Sequence, residues 1–517
     1  MVLDREKAIL LFALFTRIST IIFQVFANNL IPDHKADAFS PEWEISGAGD
    51  HAIEVLLGGF RHWDAAHFLY IAEHGYTTEE TFAFFPLYPM MLSLTKEQMT
   101  SQQLLSVMSM HSTILFLAVF TNVIFFVIAA VLLYKLGSTV LKDEQLAFKA
   151  ALLFCINPAG IFMTAAYTES MFAAVSFLAM FLLEKNYIFP AAAVFAVSTA
   201  TRSNGTVSCG FILYFLARYV IRNLVTVYKA KQLSVLIISL IRIFTKGLLS
   251  LVSVFLILSP FFIFQYYAYI KFCTDQKLFG LFDVVRPLTE MRHEYIDFQE
   301  SGDFVDATPS AVFGKAPWCN NTPPLIYSYI QEKYWNVGLF QYYELKQIPN
   351  FLLALPMIIL GCAAVWTYCT ARWSHVKVLG LIPRKEKEED AENNDRAGFY
   401  SDGVFVYLVH MASLLLFGIL FMNIQVITRF LASSCPVIYW FVAAITTTTP
   451  ANCSDSPVED QDQNTEKNWI VMASANIVTH QIVNWKENNV KTNLILAYFL
   501  MYNILGTVLH CNFLPWT

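Results

Sequence analysis

Long apolar stretches recur along this chain and constrain its fold more than any other feature. A helix that crosses the hydrocarbon core of a membrane needs about 20 mostly apolar residues, and it makes its backbone hydrogen bonds internally. By that rule we count about eleven crossings, near residues 8–30, 112–134, 146–165, 169–184, 188–201, 206–221, 235–262, 348–370, 402–421, 425–446 and 492–512. The sequence therefore predicts an all-α polytopic membrane protein with one integral domain over residues 1–517.

The scarcity of charge agrees with this fold class. Charged residues make up 14% of the chain, whereas a soluble domain carries about 25% because water must wet its surface. This excludes a soluble enzyme, and the 56% hydrophobic content excludes a disordered scaffold. A formal net charge of −6 gives no sign of a nucleic-acid partner. The nine cysteines include no CxxC pair, and Cys319 is the best candidate for a loop disulfide, with an unknown partner.

Basic residues in short loops predict the orientation of the chain. They concentrate near residues 135–142, 218–231 and 372–387. These loops are therefore placed in the cytosol. The first apolar segment is typical of a signal anchor, and the two long loops, 31–111 and 263–347, then lie on the lumenal side.

Two polar stretches, 372–400 and 447–490, are predicted to be cytosolic linkers. Sequons for N-glycosylation occur at Asn204, Asn320 and Asn452. Only Asn320 falls in a loop that the predicted topology places outside the cytosol.

The first long loop contains Arg61-His-Trp-Asp-Ala-Ala-His-Phe68. In a helix, Asp64 and His67 share one face because side chains three residues apart are neighbours. A carboxylate beside a histidine suits base catalysis, in which one group accepts a hydroxyl proton and the other orients it. The alternative is that Asp64 caps a short helix lying on the membrane, with Trp63 and Tyr70 as interfacial anchors.

Three ionisable residues lie beside or between apolar segments: Glu169, Arg202 and Arg429. Charge at membrane depth is costly and usually faces a cavity or a partner. The three residues could therefore pair with each other as structural partners. The planar fork of arginine also suits a lipid phosphate, because it donates two parallel hydrogen bonds.

The second long loop and the residues after it are rich in aromatic and amide side chains, among them Gln331, Trp335, Gln347 and Asn350. Aromatic faces stack on sugar rings and amides bond sugar hydroxyls, so this composition favours a sugar pocket. An aromatic belt at the membrane interface has a similar composition. The amides favour the pocket.

Several motifs together resemble those of the PIG-V family, which adds the second mannose in glycosylphosphatidylinositol (GPI) synthesis. They run in order from residue 60 to residue 517. The motifs are Arg61-His-Trp-Asp-Ala-Ala-His-Phe68, Phe84-Phe-Pro-Leu-Tyr-Pro89, Asn157-Pro-Ala-Gly-Ile-Phe162, Tyr167-Thr-Glu-Ser170, Arg202-Ser-Asn-Gly205, Tyr329-Ile-Gln331 with Tyr334-Trp335, Gln347-Ile-Pro-Asn-Phe351, Thr428-Arg429 and His510-Cys-Asn-Phe-Leu-Pro-Trp-Thr517.

The resemblance implies a GT-C glycosyltransferase of the endoplasmic reticulum membrane, with its active site in the lumen. Such an enzyme takes mannose from dolichyl phosphate mannose and adds it in α-1,6 linkage to the first mannose of the GPI precursor glycolipid. The donor is β-linked, so an α product implies inversion in a single displacement. The resemblance leaves the need for an accessory membrane subunit open.

The resemblance also implies roles for residues. Asp64 is the base, because it is the only acid within the matched motif of the first loop, and His67 orients or polarises near it. No Asp-x-Asp pair accompanies Asp64, so neither a metal nor another cofactor is expected. The expected substrate-binding residues are Arg61, Trp63, Glu169, Arg202, Asn204, Gln331, Trp335, Gln347, Asn350 and Arg429.

Three other functions remain open at this point. A lipid or sugar transporter would account for short helices and buried charge, but it predicts repeated halves, and no repeat of fixed period is visible. A structural subunit of a glycosylation complex is a second alternative. A GT-C mannosyltransferase with another acceptor, an N-glycan precursor or a protein, is the third.

Overall fold

The computed structural model describes residues 2–35, 38–41, 43, 45–99, 108–274, 316–382, 397–446 and 476–516. Every regular element within those ranges is helical. The α-helices are α1 (Val2–Leu30), α2 (Ala48–Leu57), α3 (Asp64–His74), α4 (Leu87–Met99), α5 (Met110–Leu141), α6 (Glu144–Cys155), α7 (Glu169–Glu184), α8 (Ile188–Thr201), α9 (Cys209–Ala230), α10 (Leu233–Cys273), α11 (Ile326–Trp335), α12 (Ile348–Ala371), α13 (Trp373–Lys377), α14 (Val404–Phe421), α15 (Ile427–Ser434), α16 (Pro436–Thr446), α17 (Ile477–Val483) and α18 (Val490–Cys511).

Among the described residues, seven helices are long and apolar enough to cross a membrane, which confirms the polytopic all-α class. The helices α15 and α16, bent by 85° at their junction, make eight if they count as one crossing. The predicted number was larger because three apolar segments form short helices. These are α6, α7 and α8, of 12, 16 and 14 residues, which at about 1.5 Å per residue do not span about 30 Å of hydrocarbon.

Helix α5 lies at the centre of the bundle. It packs against α1, α6 and α7, while α10 packs against α8 and α9. On the other side α12 contacts α14, and α18 contacts α1. The short helices are thus enclosed by longer ones.

The predicted crossing at residues 146–165 ends early, at Cys155, and residues 156–168 form successive turns. Irregular backbone at membrane depth must be satisfied by protein groups. The buried Arg17 of α1 donates to the carbonyls of Gly160 and Cys155, at 2.5 and 3.2 Å. Asn122 of α5 donates to the carbonyl of Tyr167 at 2.9 Å. Polar side chains on spanning helices therefore hold the turns in place.

Replacing Arg17 by methionine is expected to destabilise the protein strongly. The Cys155 carbonyl would lose its Arg17 donor and the Gly160 carbonyl would keep only the N–H of Met163, and a buried group left unpaired costs about 1–3 kcal/mol. We expect a lower melting temperature in detergent, measured by size-exclusion chromatography after heating. Arg5→Met is the control, because Arg5 pairs with a half-exposed Glu144 at the bundle surface; equal melting temperatures for the two variants would contradict the supporting role.

The two long loops and the residues after α18 meet at one end of the bundle. Glu79 of the first loop accepts a hydrogen bond from the Trp318 indole at 2.7 Å and pairs with Lys333 at 3.3 Å. The backbone N–H of His34 donates to the carbonyl of Asn512 at 3.0 Å. This end therefore forms one connected layer over the helices.

A disulfide within this layer joins Cys273, the last residue of α10, to Cys319. The prediction that Cys319 forms a disulfide is confirmed, and the structure supplies the partner. Asn320, next to this bond, is exposed. Residues 275–315 of the second loop, 383–396 and 447–475 of the predicted linkers, and the sequon at Asn452, lie outside the described residues.

Candidate active site

A sharp turn in the first long loop presents Asp64. Trp63 has φ 62° and ψ −134°, a backbone conformation that bulky residues rarely adopt. Helix α3 begins at the next residue, and the Asp64 N–H donates to the Tyr167 hydroxyl at 3.2 Å. The Asp64 side chain is 27% exposed, so the carboxylate can be reached from outside the bundle.

Arg429 of α15 binds this carboxylate. Its Nη2 lies 2.8 Å from Asp64 Oδ2. The guanidinium carbon is 5.2 Å from the ring centre of Phe162 and 5.4 Å from that of Tyr167, within the range of a cation–π contact. The arginine is therefore held by a carboxylate and by two aromatic faces.

Glu169 continues the group of charges. Its Oε1 lies 3.9 Å from Arg429 Nη1 and forms an ion pair with Arg202. Arg202 also donates to the Thr168 hydroxyl at 3.2 Å. Asp64, Arg429, Glu169 and Arg202 thus form a row of alternating charge, which we call the four-residue cluster.

Short helices place three of the four charges. Asp64 and Glu169 are the first residues of α3 and α7, where the positive end of the helix dipole stabilises a carboxylate. Arg202 follows the last residue of α8, where the dipole favours a cation. Arg429 lies on the eight-residue α15, which meets α16 at an 85° bend. The helices that are too short to cross a membrane therefore position charged residues of the four-residue cluster.

The cluster sets the charge of Asp64. Burial alone would raise the pKa of this carboxyl, but Arg429, with smaller effects from His67 and Arg202, holds the pKa below its usual value. Asp64 is therefore ionised at neutral pH. The ionised carboxylate can accept a proton, and in this structure it forms an ion pair with Arg429.

His67 lies one turn along α3 in an aromatic enclosure. Its ring stacks between Phe39 and Phe84, with centroid distances of 4.4 and 4.6 Å, and meets the edge of Trp335 at 6.3 Å. Burial lowers the pKa of His67 to about 4, although Asp64 acts to raise it. The imidazole is therefore neutral at pH 7 and can polarise a hydroxyl without carrying charge.

Two residues predicted to bind substrate have partners outside the cluster. Arg61 forms an ion pair with Glu54 of α2. Asn204 donates to the Ser434 hydroxyl at 3.1 Å, near the end of α15. Neither side chain contacts Asp64, although both lie in turns adjoining the cluster.

Gln347 and Asn350 form a separate amide group. Asn350 donates to Gln347 at 2.7 Å and to the Tyr342 hydroxyl at 2.8 Å. Gln331 lies on α11, one turn before Trp335 and its contact with His67. Trp335 therefore lies beside His67 with Gln331 one turn away on the same helix, whereas the amide pair lies at the start of α12.

The sequence predicts no role for Tyr167 or Phe162, although both lie within its motifs. Tyr167 accepts the Asp64 N–H and stands beside Arg429, and Phe162 lies beneath that guanidinium. The signal available in the sequence was that both aromatic residues lie shortly before Glu169, a charged residue between apolar segments. Across the part of the chain that the structure describes, no three His, Cys, Asp or Glu side chains group closely enough to hold a metal ion.

The chain matches the family described as Mannosyltransferase (PIG-V) over residues 6–517. The chain belongs to this family. Among curated relatives, GPI alpha-1,6-mannosyltransferase 2 of Rattus norvegicus is 42% identical over 515 residues, covering 99% of both chains. The human protein of the same name is 42% identical over 527 residues with the same coverage. GPI mannosyltransferase 2 of Drosophila melanogaster is 32% identical over 83% of this chain and 89% of its own.

Membership of the PIG-V family confirms the resemblance predicted from the motifs. Members of this family are mannosyltransferases, so the prediction of a glycosyltransferase is confirmed as well. Family membership therefore favours an enzyme over the two alternatives of a transporter and a structural subunit. The groups that carry its acid–base chemistry can be sought in the structure. The four-residue cluster is the best candidate.

Proposed function

We propose that this PIG-V family member transfers the second mannose, in α-1,6 linkage, from dolichyl phosphate mannose to the first mannose of the GPI precursor. The acceptor and linkage follow the names of relatives that align over nearly the whole chain. The observation that carries the chemistry is the contact of Asp64 with Arg429 at 2.8 Å. It puts a proton acceptor at one end of a cluster whose guanidinium groups extend away from it, so the base and the positive charge for the phosphate could lie on opposite sides of the reacting sugar carbon.

The reaction is an inverting displacement. Asp64 takes the proton from the acceptor hydroxyl as that oxygen bonds to the anomeric carbon of mannose. The bond from this carbon to the phosphate oxygen breaks at the same time, and its electron pair stays on dolichyl phosphate. The base therefore acts on one side of the sugar, and positive charge is needed on the other.

Arg429 is suited to the departing phosphate. Its Nε is buried and has no hydrogen-bond partner among the described residues. A phosphate arriving beside Arg429 would compete with Asp64 for the guanidinium. As Arg429 turns to the phosphate, its depressing effect on the pKa of Asp64 weakens, and the carboxylate becomes a stronger base when the donor is in place.

Glu169 acts by holding the arginines. Its side chain is fully buried and is flanked by Arg202 and Arg429. This position favours a role of Glu169 in orienting the two guanidiniums. The sequence suggested instead that Glu169 binds the substrate. Arg202 then supplies the second positive charge near the phosphate.

Two buried ring nitrogens beside Asp64 are suited to sugar hydroxyls. His67 Nδ1 and Trp63 Nε1 are buried, and neither has a partner in the described ranges. Trp335 offers an aromatic face at the same wall. The mannose ring would lie here, with Gln331 one turn away, and the amides of Gln347 and Asn350 would extend the surface toward the acceptor.

The predicted orientation puts this end of the molecule in the lumen of the endoplasmic reticulum. The disulfide between Cys273 and Cys319 supports that side, because disulfides persist in oxidising compartments. Membrane lipids would surround the helices below. An accessory membrane subunit stays an open prediction.

The test uses cells that lack their second GPI mannosyltransferase. Expression of the wild-type chain is expected to restore GPI-anchored proteins at the cell surface and to remove the accumulated one-mannose precursor. Lipid extracts are analysed by mass spectrometry. Persistence of that precursor despite normal expression would overturn the acceptor assignment, and a change in N-glycan precursors instead would favour the other acceptor.

A further inference from the structure

The end of α18 and the residues that follow it pack directly on the turn of His62 and Trp63 that precedes Asp64, which we call the catalytic turn. The ring of Phe513 stacks on His62 with a centroid distance of 3.8 Å and lies 5.9 Å from the centre of Trp63. Trp63 precedes Asp64. A side chain far away in sequence therefore touches the two residues that lead into the base.

Backbone contacts fasten this segment, residues 510–516, to the same loop. The carbonyl of Asn512 accepts the N–H of His34 at 3.0 Å, and the N–H of Leu514 returns to the carbonyl of Leu509 at 2.9 Å. Gly59 lies so close to Cys511 that a Cβ on Gly59 would come within 2.7 Å of the cysteine Cβ. The segment and the loop therefore fit only when both keep their present backbones.

His510 extends the contact to the far side of the catalytic turn. Its ring lies 5.6 Å from those of Phe162 and Tyr167. Tyr167 receives the Asp64 N–H, and both aromatic rings stand beside Arg429. The segment thus touches residues before Asp64 and residues that bind it.

The turn needs such a support because Trp63 has φ 62°. A tryptophan leaves this conformation unless surrounding contacts hold it. Phe513 is itself held at φ 53° by the packing of its segment. Trp63 and Phe513 pack against each other. If the backbone of either residue relaxed, the direction of the Asp64 side chain would change.

We propose that Phe513 is a positioning residue for mannose transfer: through its contacts with His62 and Trp63, the segment 510–516 holds the turn that directs the Asp64 carboxylate. This inference rests on the proposed function of Asp64 as the base. Phe513 itself touches no substrate. Its effect is on the geometry of the carboxylate and of the arginine that pairs with it.

The test compares Phe513→Ala with wild type in detergent-solubilised full-length enzyme, with dolichyl phosphate mannose and a one-mannose GPI precursor. We expect kcat to fall at least tenfold, because a misplacement of about 1 Å at a reacting group can cost about 100-fold. The KM for the donor should change less than twofold. Phe513→Tyr, which keeps the ring, should restore kcat to within threefold of wild type.

The pH profile separates positioning from a loss of folded enzyme. Arg429 holds the pKa of Asp64 below its usual value, and activity requires the ionised carboxylate. If the turn relaxes and the pair loosens, burial raises that pKa, so the acidic limb of kcat/KM, which reports the free enzyme, moves to higher pH in Phe513→Ala. A smaller amount of correctly built enzyme would lower activity without moving the limb.

Phe340→Ala is the matched control. Phe340 is a phenylalanine at φ 56° in the second loop, and it packs on Tyr343 rather than on the catalytic turn. Its kcat and pH profile should equal those of wild type. If Phe513→Ala does not accumulate, Phe513→Leu keeps the apolar volume and removes the ring, and the same drop and the same shift are expected.

The outcomes distinguish this inference from the proposed function. An active wild type with an unchanged kcat in Phe513→Ala, or in Phe513→Leu where Phe513→Ala does not accumulate, would overturn the positioning role alone. So would a drop in kcat with no shift of the acidic limb. A wild-type enzyme that does not use the GPI precursor would overturn the proposed function instead.

Discussion

Replacement of Asp64 by asparagine is expected to reduce mannose transfer by about 10²–10⁴-fold, the usual contribution of general base catalysis. Asparagine keeps the size of the side chain and an oxygen for Arg429, but it cannot accept the proton of the acceptor hydroxyl. The variant should therefore fold and reach the membrane. The measurement is transfer of labelled mannose in microsomes from cells that lack the endogenous enzyme, normalised to protein amount.

Glu80→Gln is the matched control for Asp64→Asn. Glu80 is a partly buried carboxylate of the same loop, and it interacts with Thr78 and Lys333 rather than with the four-residue cluster. Its activity should equal that of wild type. If Asp64→Asn retained more than a tenth of wild-type activity, the base would have to be another group, and the turn at Trp63 would have a structural role.

Replacement of Arg429 by glutamine is expected to cost about 10²–10³-fold in turnover, comparable to the loss of one donor that stabilises charge in a transition state. The glutamine cannot neutralise the departing phosphate. It also leaves Asp64 and Glu169 close together with only Arg202 to offset them. The measurement is the dependence of rate on donor concentration.

The Arg429→Gln substitution should also shift the pH dependence of activity in a defined direction. In the wild type, Arg429 holds the pKa of Asp64 down, so the base is ionised even under mildly acidic conditions. Without the arginine, burial raises that pKa. The acidic limb of kcat/KM in Arg429→Gln should therefore move to higher pH, and an unmoved limb would mean that the two residues do not interact in the working enzyme.

Arg5→Gln is the control for the loss of an arginine–carboxylate pair. Arg5 pairs with Glu144 at 2.8 Å, the same distance as in the Arg429–Asp64 pair. Arg5 lies near the beginning of α1, and its partner Glu144 is half-exposed. Turnover and pH profile should be unchanged, because an exposed ion pair contributes only about 0–1 kcal/mol and takes no part in the chemistry.

The sequence by itself determined the fold class and the residues worth testing. Apolar segments of membrane-spanning length, such as α5 and α10, are read directly from composition, because lipid allows so few alternatives to a helix. Glu169, Arg202 and Arg429 were visible for the opposite reason: charge at membrane depth is costly and so is rarely without a purpose. Asp64 was visible because a motif surrounds it.

Only the tertiary structure decided which of these residues meet. The contact between Asp64 and Arg429 joins positions 365 residues apart, and no local pattern specifies it. The early end of α6 also escaped prediction. Its sequence is apolar enough to continue, but Arg17 on a distant helix satisfies the carbonyls of the turns that replace it.

The same reason explains the partner of Cys319 and the contacts of Phe513 with His62 and Trp63. Hydrophobicity and helix propensity act over a few residues, and they can be summed along a chain without knowledge of the fold. Ion pairs, disulfides and ring contacts depend on which surfaces the packed helices bring within a few ångströms. The sequence thus determined where the charges lie along the helices, and helix packing determined which charge faces which.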